Sequence, residues 1–318
     1  MRALNNYIPL LLLFYFFNIN SENLKDDYAI VIHGGAGWFS NLPEDEVEGI
    51  KKGLKQALDK GYEILAQDGS SIDAVEEAIK ILEDNPLFNA GRGAVYNAEG
   101  VQELDASIMQ SNDHNAGAIT GVTTVKNPIS LARYVMENTK HVMFSGEGAE
   151  IIAKEAQLDL VDPSYFYSEK NLKRLKKQQS KDDKLGTVGV VAVDKKGIIV
   201  AGTSTGGMTN KLKGRIGDSP VIGAGTWATN GCGVSGTGHG EFFIRYNVAK
   251  EICTRVLSGG LSVSDAANSV IGELKLLDAD AGVIVIDQYG SAAMIYNTPA
   301  MARAYKNSNG DEEVSIYD

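Results

Sequence analysis

The sequence predicts a mixed α/β sandwich, with antiparallel sheets covered on their outer faces by helices. Apolar strands come in hairpin pairs: 188–193 with 198–203 around Asp194-Lys-Lys-Gly197, and 282–287 with 292–296 around Gln288-Tyr-Gly290. Strands this continuously apolar need cover on both faces, and segments of helical period lie in pairs between them. Hairpins imply antiparallel pairing, which argues against a doubly wound fold.

The first residues stand apart, as segment 1–21. Met1-Arg2 gives a positive start, and 8–17 (IPLLLLFYFF) is an apolar run of signal-peptide length, short for a bilayer span. The expectation is an export signal on a secreted or periplasmic protein, with an uncleaved hydrophobic anchor as the alternative. One domain then covers 22–318. A strand at 28–33 runs into His33-Gly-Gly-Ala-Gly37. Helical periodicity follows over 44–67, with Val47, Ile50, Leu54, Leu58, Tyr62 and Leu65 at steps of three and four. Ser70, Ser71 and Asp73 cap a second helix over 74–82. The stretch 85–93 reads as irregular, followed by short strands at 104–109 and 116–125 and helices at 128–137 and 148–156. The charged run SEKNLKRLKKQQSKDDK reads as a flexible linker over 168–185. Beyond it lie the first hairpin, helices at 242–257 and 264–276, and the closing hairpin.

Bulk properties exclude some functions. Lys and Arg number 30 against 41 Asp and Glu, a formal net charge of −11 with no basic stripe, so the footprint of a nucleic-acid binder is missing. Cys232 and Cys253 are too few and too widely spaced for a disulfide framework or a zinc site, and read as small buried thiols. His33, His114, His141 and His239 show no metal-ligand spacing. The 35 glycines gather in short motifs, which suggests tight turns where backbone approaches a ligand.

The linker stops at Leu185-Gly186-Thr187, and a buried strand begins at once. Cutting the Gly186–Thr187 bond would give Thr187 a hydroxyl and a free α-amine on one residue. Such an amine has a pKa of about 7.7–8.0 and can accept the hydroxyl proton near neutrality. Thr205 ends the second strand of that hairpin, so it can lie beside Thr187 and orient it, or be no more than a good strand residue. In Gly214-Arg215-Ile-Gly-Asp218-Ser-Pro220, an arginine and an aspartate three apart can take the carboxylate and ammonium of an α-amino acid, or pair with each other. Gly236-Thr237-Gly238-His239-Gly240-Glu241 can aim backbone N–H groups at an oxyanion. A phosphate loop is the rival, but neither Gly-Lys-Ser/Thr nor GxGxxG is present. His239 reads as a local structural residue.

Taken in order, His33-Gly-Gly-Ala-Gly37, Asn85-Pro-Leu-Phe-Asn-Ala-Gly91, Glu103-Leu-Asp-Ala-Ser107, Gly186-Thr-Val-Gly189, Thr203-Ser-Thr-Gly-Gly-Met208, the Arg215 segment and Thr237-Gly-His-Gly-Glu241 carry a resemblance. The chain resembles the plant-type (type III) asparaginases/isoaspartyl peptidases, which are N-terminal nucleophile (Ntn) hydrolases, over residues 28–306. The resemblance implies a four-layer αββα sandwich and a precursor that cleaves itself between Gly186 and Thr187. The products would be an α subunit (22–186) and a β subunit (187–318), assembled as (αβ)₂. It also implies hydrolysis of β-aspartyl dipeptides and L-asparagine, with no organic cofactor. By the same resemblance Thr187 matches the nucleophile and Thr205 its hydroxyl partner. Arg215 and Asp218 match the grip on the substrate carboxylate and amine. Thr237 and Gly238 match the oxyanion hole, and Gly240 a further substrate contact. Backbone carbonyls of Leu82, Glu83, Asn85, Phe88, Ala90 and Arg92 match a loop that holds Na+. The N-terminal hydrophobic segment departs from the usual cytoplasmic form. Exported glycosylasparaginases share the threonine logic, but Gly206-Gly-Met-Thr-Asn-Lys211 and the early His-Gly-Gly-Ala-Gly look like the plant type. A non-enzymatic reading remains, an exported binding protein for acidic amino acids using Arg215 and Asp218 alone.

Overall fold

Along the strand that follows Thr187, Val188, Val190 and Ala192 belong to one buried cluster and Val191 and Val193 to another. Such a strand must be covered on both sides. The computed structural model describes residues 27–37, 42–178 and 186–317, and it supplies both covers.

The first half of the chain contains β1 (Ala29–Gly37), α1 (Glu44–Ala66), α2 (Ser71–Asp84), β2 (Leu104–Gln110), β3 (Ala116–Val122), α3 (Pro128–Asn138), β4 (Met143–Ser145), α4 (Gly146–Glu155) and α5 (Glu169–Gln178). The second half begins with β5 (Val188–Val193), β6 (Ile199–Thr205), β7 (Thr226–Thr229) and β8 (Cys232–Gly238). Helices α6 (Gly240–Tyr246), α7 (Val248–Leu257) and α8 (Val263–Leu276) follow. Strands β9 (Ala281–Asp287), β10 (Ala292–Tyr296), β11 (Ala300–Asn307) and β12 (Glu312–Ser315) close the chain.

An eight-stranded sheet has the order β12-β11-β1-β5-β6-β2-β3-β4, and a four-stranded sheet the order β10-β9-β8-β7. The sheets face each other where β5 and β6 meet β8 and β1 meets β9. Met109, Val191, Ile199, Ile284, Ile286 and Met301 fill the space between them. Helices α1 to α3 cover the outer face of the large sheet, and α7 and α8 that of the small one. This is the expected αββα sandwich. The helices are built for one-sided burial: α1 turns Ile50, Leu54, Leu58 and Leu65 inward. Ser70 caps α2 by accepting from the Asp73 N–H at 3.2 Å, and Ser262 caps α8 by accepting from the Asp265 N–H at 3.0 Å.

Three expectations need correction, and five strands were missed. The charged run is not wholly unstructured: 169–178 form α5, which buries Leu175 and donates from Asn171 Nδ2 to the Gly93 carbonyl at 2.9 Å. A few side chains with something to hold were enough to order it. The helix expected over 242–257 breaks at Asn247, whose φ of 48° ends α6 and starts α7. Cys232 and Cys253 are not free thiols but a disulfide that joins β8 to α7, where packing brings their Cα atoms to 5.5 Å. Strands β4, β7, β8, β11 and β12 were not anticipated, because they are short, glycine-rich or interrupted by charge. The proposed export segment 1–21 and the last linker residues, 179–185, lie outside the described residues.

Candidate active site

The β5–β6 hairpin decides the geometry. Its register pairs Val193 with Ile199 and Val188 with Ser204, which leaves Thr187 opposite Thr205 at the open end. The Thr187 hydroxyl donates to Thr205 Oγ1 at 3.1 Å, and Thr205 Oγ1 also accepts from the Gly207 N–H at 2.9 Å. Thr187 is 8 % exposed, so its hydroxyl is largely withdrawn from bulk water but still reaches a cleft. Gly186 lies against the glycines that end β1. A Cβ on Gly186 would come within 2.3 Å of the Gly35 Cα, and Gly35 itself has φ +106°. Only paired glycines allow this approach.

Thr187, Thr205, Arg215, Asp218, Gly238 and His239 are among the walls of one cleft. Arg215 and Asp218 do not pair with each other. The guanidinium makes a bidentate bond to Glu241, Nε to Oε1 and Nη2 to Oε2, each at 3.0 Å. Asp218 is 4 % exposed, and its Oδ2 has no hydrogen-bond partner. Burial pushes its carboxyl up to about 7, with Arg215 opposing only in part. Burial also favours protonation of Glu241, but hydrogen bonding and the Arg215 charge hold that carboxyl below its ordinary value. A Cβ on Gly240 would lie 2.8 Å from Asp218 Oδ1 and 3.0 Å from Arg215 Nη2, so this glycine leaves the room in which the two charges sit.

Thr237 lies fully buried one residue behind the Gly238 wall, and its hydroxyl has no partner. Gly238 has φ +139°, and a Cβ there would strike the Asp280 carbonyl at 2.3 Å. His239 does what a local structural residue does: Nδ1 accepts from the Asp280 N–H at 3.1 Å, at the head of α6. In the loop after α2, carbonyl oxygens pack closely against two glycines. A Cβ on Gly93 would fall 1.9 Å from the Phe88 oxygen and 2.9 Å from that of Pro86, and one on Gly91 would fall 2.5 Å from that of Glu83. Two participants escaped the sequence reading. Glu241 stood at the edge of a quoted motif, three places past Gly238, but nothing in the spacing tied it to Arg215. His33 Nδ1 lies 3.0 Å from the Thr187 carbonyl, a contact across 154 residues that only the β1–β5 pairing creates.

The profile of the asparaginase family matches residues 26–316. The chain belongs to the asparaginase family. This asparaginase-family chain is 39% identical to a putative isoaspartyl peptidase/L-asparaginase of Dictyostelium discoideum, over 91% of this chain and 98% of the relative. It is 40% identical to the isoaspartyl peptidase of Escherichia coli K12, over 91% and 96%. To the plant-type L-asparaginase of Pyrococcus horikoshii it is 41% identical, over 89% and 98%. The family match runs across both sides of the Gly186–Thr187 bond.

Proposed function

We propose that this protein hydrolyses β-aspartyl amides, releasing L-aspartate from isoaspartyl dipeptides and from L-asparagine, after cutting its own Gly186–Thr187 bond. The observation that carries the reading is the Thr187–Thr205 hydroxyl pair, 3.1 Å apart in a cleft that also holds Arg215 and Asp218. The isoaspartyl peptidase activity named for the Escherichia coli relative supports it.

In the processing step Thr187 Oγ attacks the Gly186 carbonyl carbon. The C–N bond breaks as the ester forms, and the former amide nitrogen takes the proton; water then cleaves the ester. Gly186 becomes a C-terminal carboxylate and Thr187 gains an α-amine. In turnover that amine accepts the hydroxyl proton as Oγ attacks the substrate's side-chain carbonyl, with Thr205 holding the hydroxyl in line. Arg215 takes the α-carboxylate and ionised Asp218 the ammonium. The unpartnered Thr237 hydroxyl and the Gly238 backbone face the oxyanion. Gly240 gives the substrate's charged end access to both charges. The leaving amine takes the proton from the Thr187 ammonium, and water releases aspartate from the acyl-enzyme.

The Glu83 and Phe88 carbonyls, which pack against Gly91 and Gly93, support a sodium site made from the backbone of Leu82, Glu83, Asn85, Phe88, Ala90 and Arg92. Neutral oxygens suit a monovalent cation, whose part is to stiffen the loop and not to take part in chemistry. The Cys232–Cys253 disulfide supports export to an oxidising compartment, in line with the hydrophobic start of the chain. The processed subunits assemble as (αβ)₂. The test is a denaturing gel with N-terminal sequencing and an aspartate-release assay on a β-aspartyl dipeptide. Two fragments, the smaller starting at Thr187, and activity lost in Thr187→Ala are expected. A single uncut band with full activity overturns the reading.

A further inference from the structure

Five polar side chains that the reaction leaves unused form one line through the molecule. His33 on β1, Ser235 on β8, Thr203 on β6, Thr226 on β7 and Ser107 on β2 are all 0 % exposed. Three come from the large sheet and two from the small one, so the line crosses the space between the sheets. His33 Nδ1 lies 3.0 Å from the Thr187 carbonyl and Nε2 lies 3.0 Å from Ser235 Oγ. Ser235 Oγ is 2.7 Å from Thr203 Oγ1, which is 2.6 Å from Thr226 Oγ1, which is 2.8 Å from Ser107 Oγ. Ser107 also reaches the carbonyl of Ser219, next to Asp218, at 2.6 Å.

The direction of these bonds follows from counting hydrogens. A carbonyl can only accept, so Nδ1 carries the proton and Nε2 is the acceptor. Ser235 must then donate to Nε2, which leaves its oxygen to accept from Thr203. Thr203 in turn accepts from Thr226, and the single Ser107 proton goes either to Thr226 or to the Ser219 carbonyl, not to both. Burial pushes the imidazole down to about 3, so at working pH the ring is neutral and has two distinct nitrogens. Nothing else can occupy the space beside it: a Cβ on Gly189 would lie 2.0 Å from Ser235 Oγ and 2.3 Å from His33 Nε2. The glycine two places after Thr187, which the reaction does not need, is the one residue that lets this bond form.

We propose that His33 is a positioning residue for Thr187, fixed in orientation and in its Nδ1–H tautomer by the buried hydroxyl line from Ser107 to Ser235. It holds the Thr187 carbonyl, and with it the angle at which the hydroxyl and the freed amine face the cleft. The inference rests on Thr187 being the nucleophile.

Two experiments test it on the processed, full-length enzyme. Spectra of ¹⁵N-histidine-labelled wild-type protein at pH 7 should show a neutral His33 protonated at Nδ1. A cation or the Nε2–H tautomer overturns the proposal, whatever any variant does. Kinetics then compare His33→Leu with His33→Asn, whose amide nitrogen can take the place of Nδ1. Expected is a fall in kcat of at least tenfold for His33→Leu with KM within twofold, and recovery of most of that loss in His33→Asn. Equal activity in both variants, or a change confined to KM, overturns it. Ser235→Ala should lower kcat in the same way, since it frees the ring to change tautomer. Thr187→Ala, run beside them, separates the premises: activity in that variant removes the nucleophile itself, while its loss leaves the His33 result to stand on its own.

Discussion

At neutral pH Asp218 sits near the midpoint of its titration, because burial raises its carboxyl from 3.8 to about 7. In its proposed role it must be an anion to meet the substrate ammonium. KM for a β-aspartyl dipeptide should therefore rise about tenfold between pH 8 and pH 6 as the carboxyl protonates. Steady-state kinetics across that range check it, and a flat KM removes Asp218 from the ammonium site. The same shift has a sign for stability. A folded pKa above the unfolded one means the folded state favours the protonated form, so its contribution is full below about pH 3.8 and is lost as pH rises through 7. Asp218→Asn should thus raise the melting temperature at pH 8 by an amount that shrinks to nothing near pH 4, with about 4 kcal/mol as the upper bound for a three-unit shift. Thermal melts of the two proteins at both pH values measure this. The residues of the candidate site were legible because each stands in a short motif of unusual composition: Thr187 behind a glycine at a strand start, Arg215 and Asp218 in a glycine-flanked loop. Glu241 and the His33 contact were not, because one is a side-chain choice of partner and the other depends on strand pairing.

Among the elements, β8 matters most to the site, since it ends on Thr237 and Gly238 and its Ser235 faces His33. Its sequence, CGVSGTG, has little apolar side chain with which to hold itself in place. The Cys232–Cys253 disulfide ties its first residue to α7 across a separation of 21. A loop of that size is worth about 3 kcal/mol in chain entropy. Replacing both cysteines by serine should lower the melting temperature by several degrees and lower kcat as β8 loosens. Calorimetry with aspartate-release kinetics reads both, and an unchanged melt under reducing conditions contradicts the role. The helices and hairpins were legible because their period is local. It concealed β7, β8, β11 and β12, whose short or mixed runs become strands only against a neighbour already in place. The bond between two cysteines was hidden for the same reason, since spacing along the chain does not reveal that α7 folds back over β8. The ordering of α5 likewise depends on carbonyls at Gly93 and Ala94 that lie far away in sequence.

For the whole molecule, the strand order of the large sheet is the decisive fact. Reading β12-β11-β1-β5-β6-β2-β3-β4, strands from before and after the Gly186–Thr187 bond alternate in blocks. β1 from the first half is gripped on both sides by β11 and β5 from the second, and β6 from the second half binds β2 from the first. Cutting that bond should therefore release no subunit. Size exclusion under native conditions should show one particle containing both fragments, and separation of the two there would contradict the interleaving. A further consequence concerns the history of each molecule. The uncut chain finds its fold within itself, a first-order search whose rate is the same in dilute and in crowded solution. Once the bond is gone, every strand of the sheet's centre needs a neighbour that belongs to another chain, and folding becomes an encounter. Processed protein unfolded in denaturant and then diluted should regain activity in a yield that falls as its concentration falls. The uncut Thr187→Ala chain should recover its spectrum equally well at any dilution. If the chain cuts itself as proposed, this molecule can be assembled in isolation only before it is able to work.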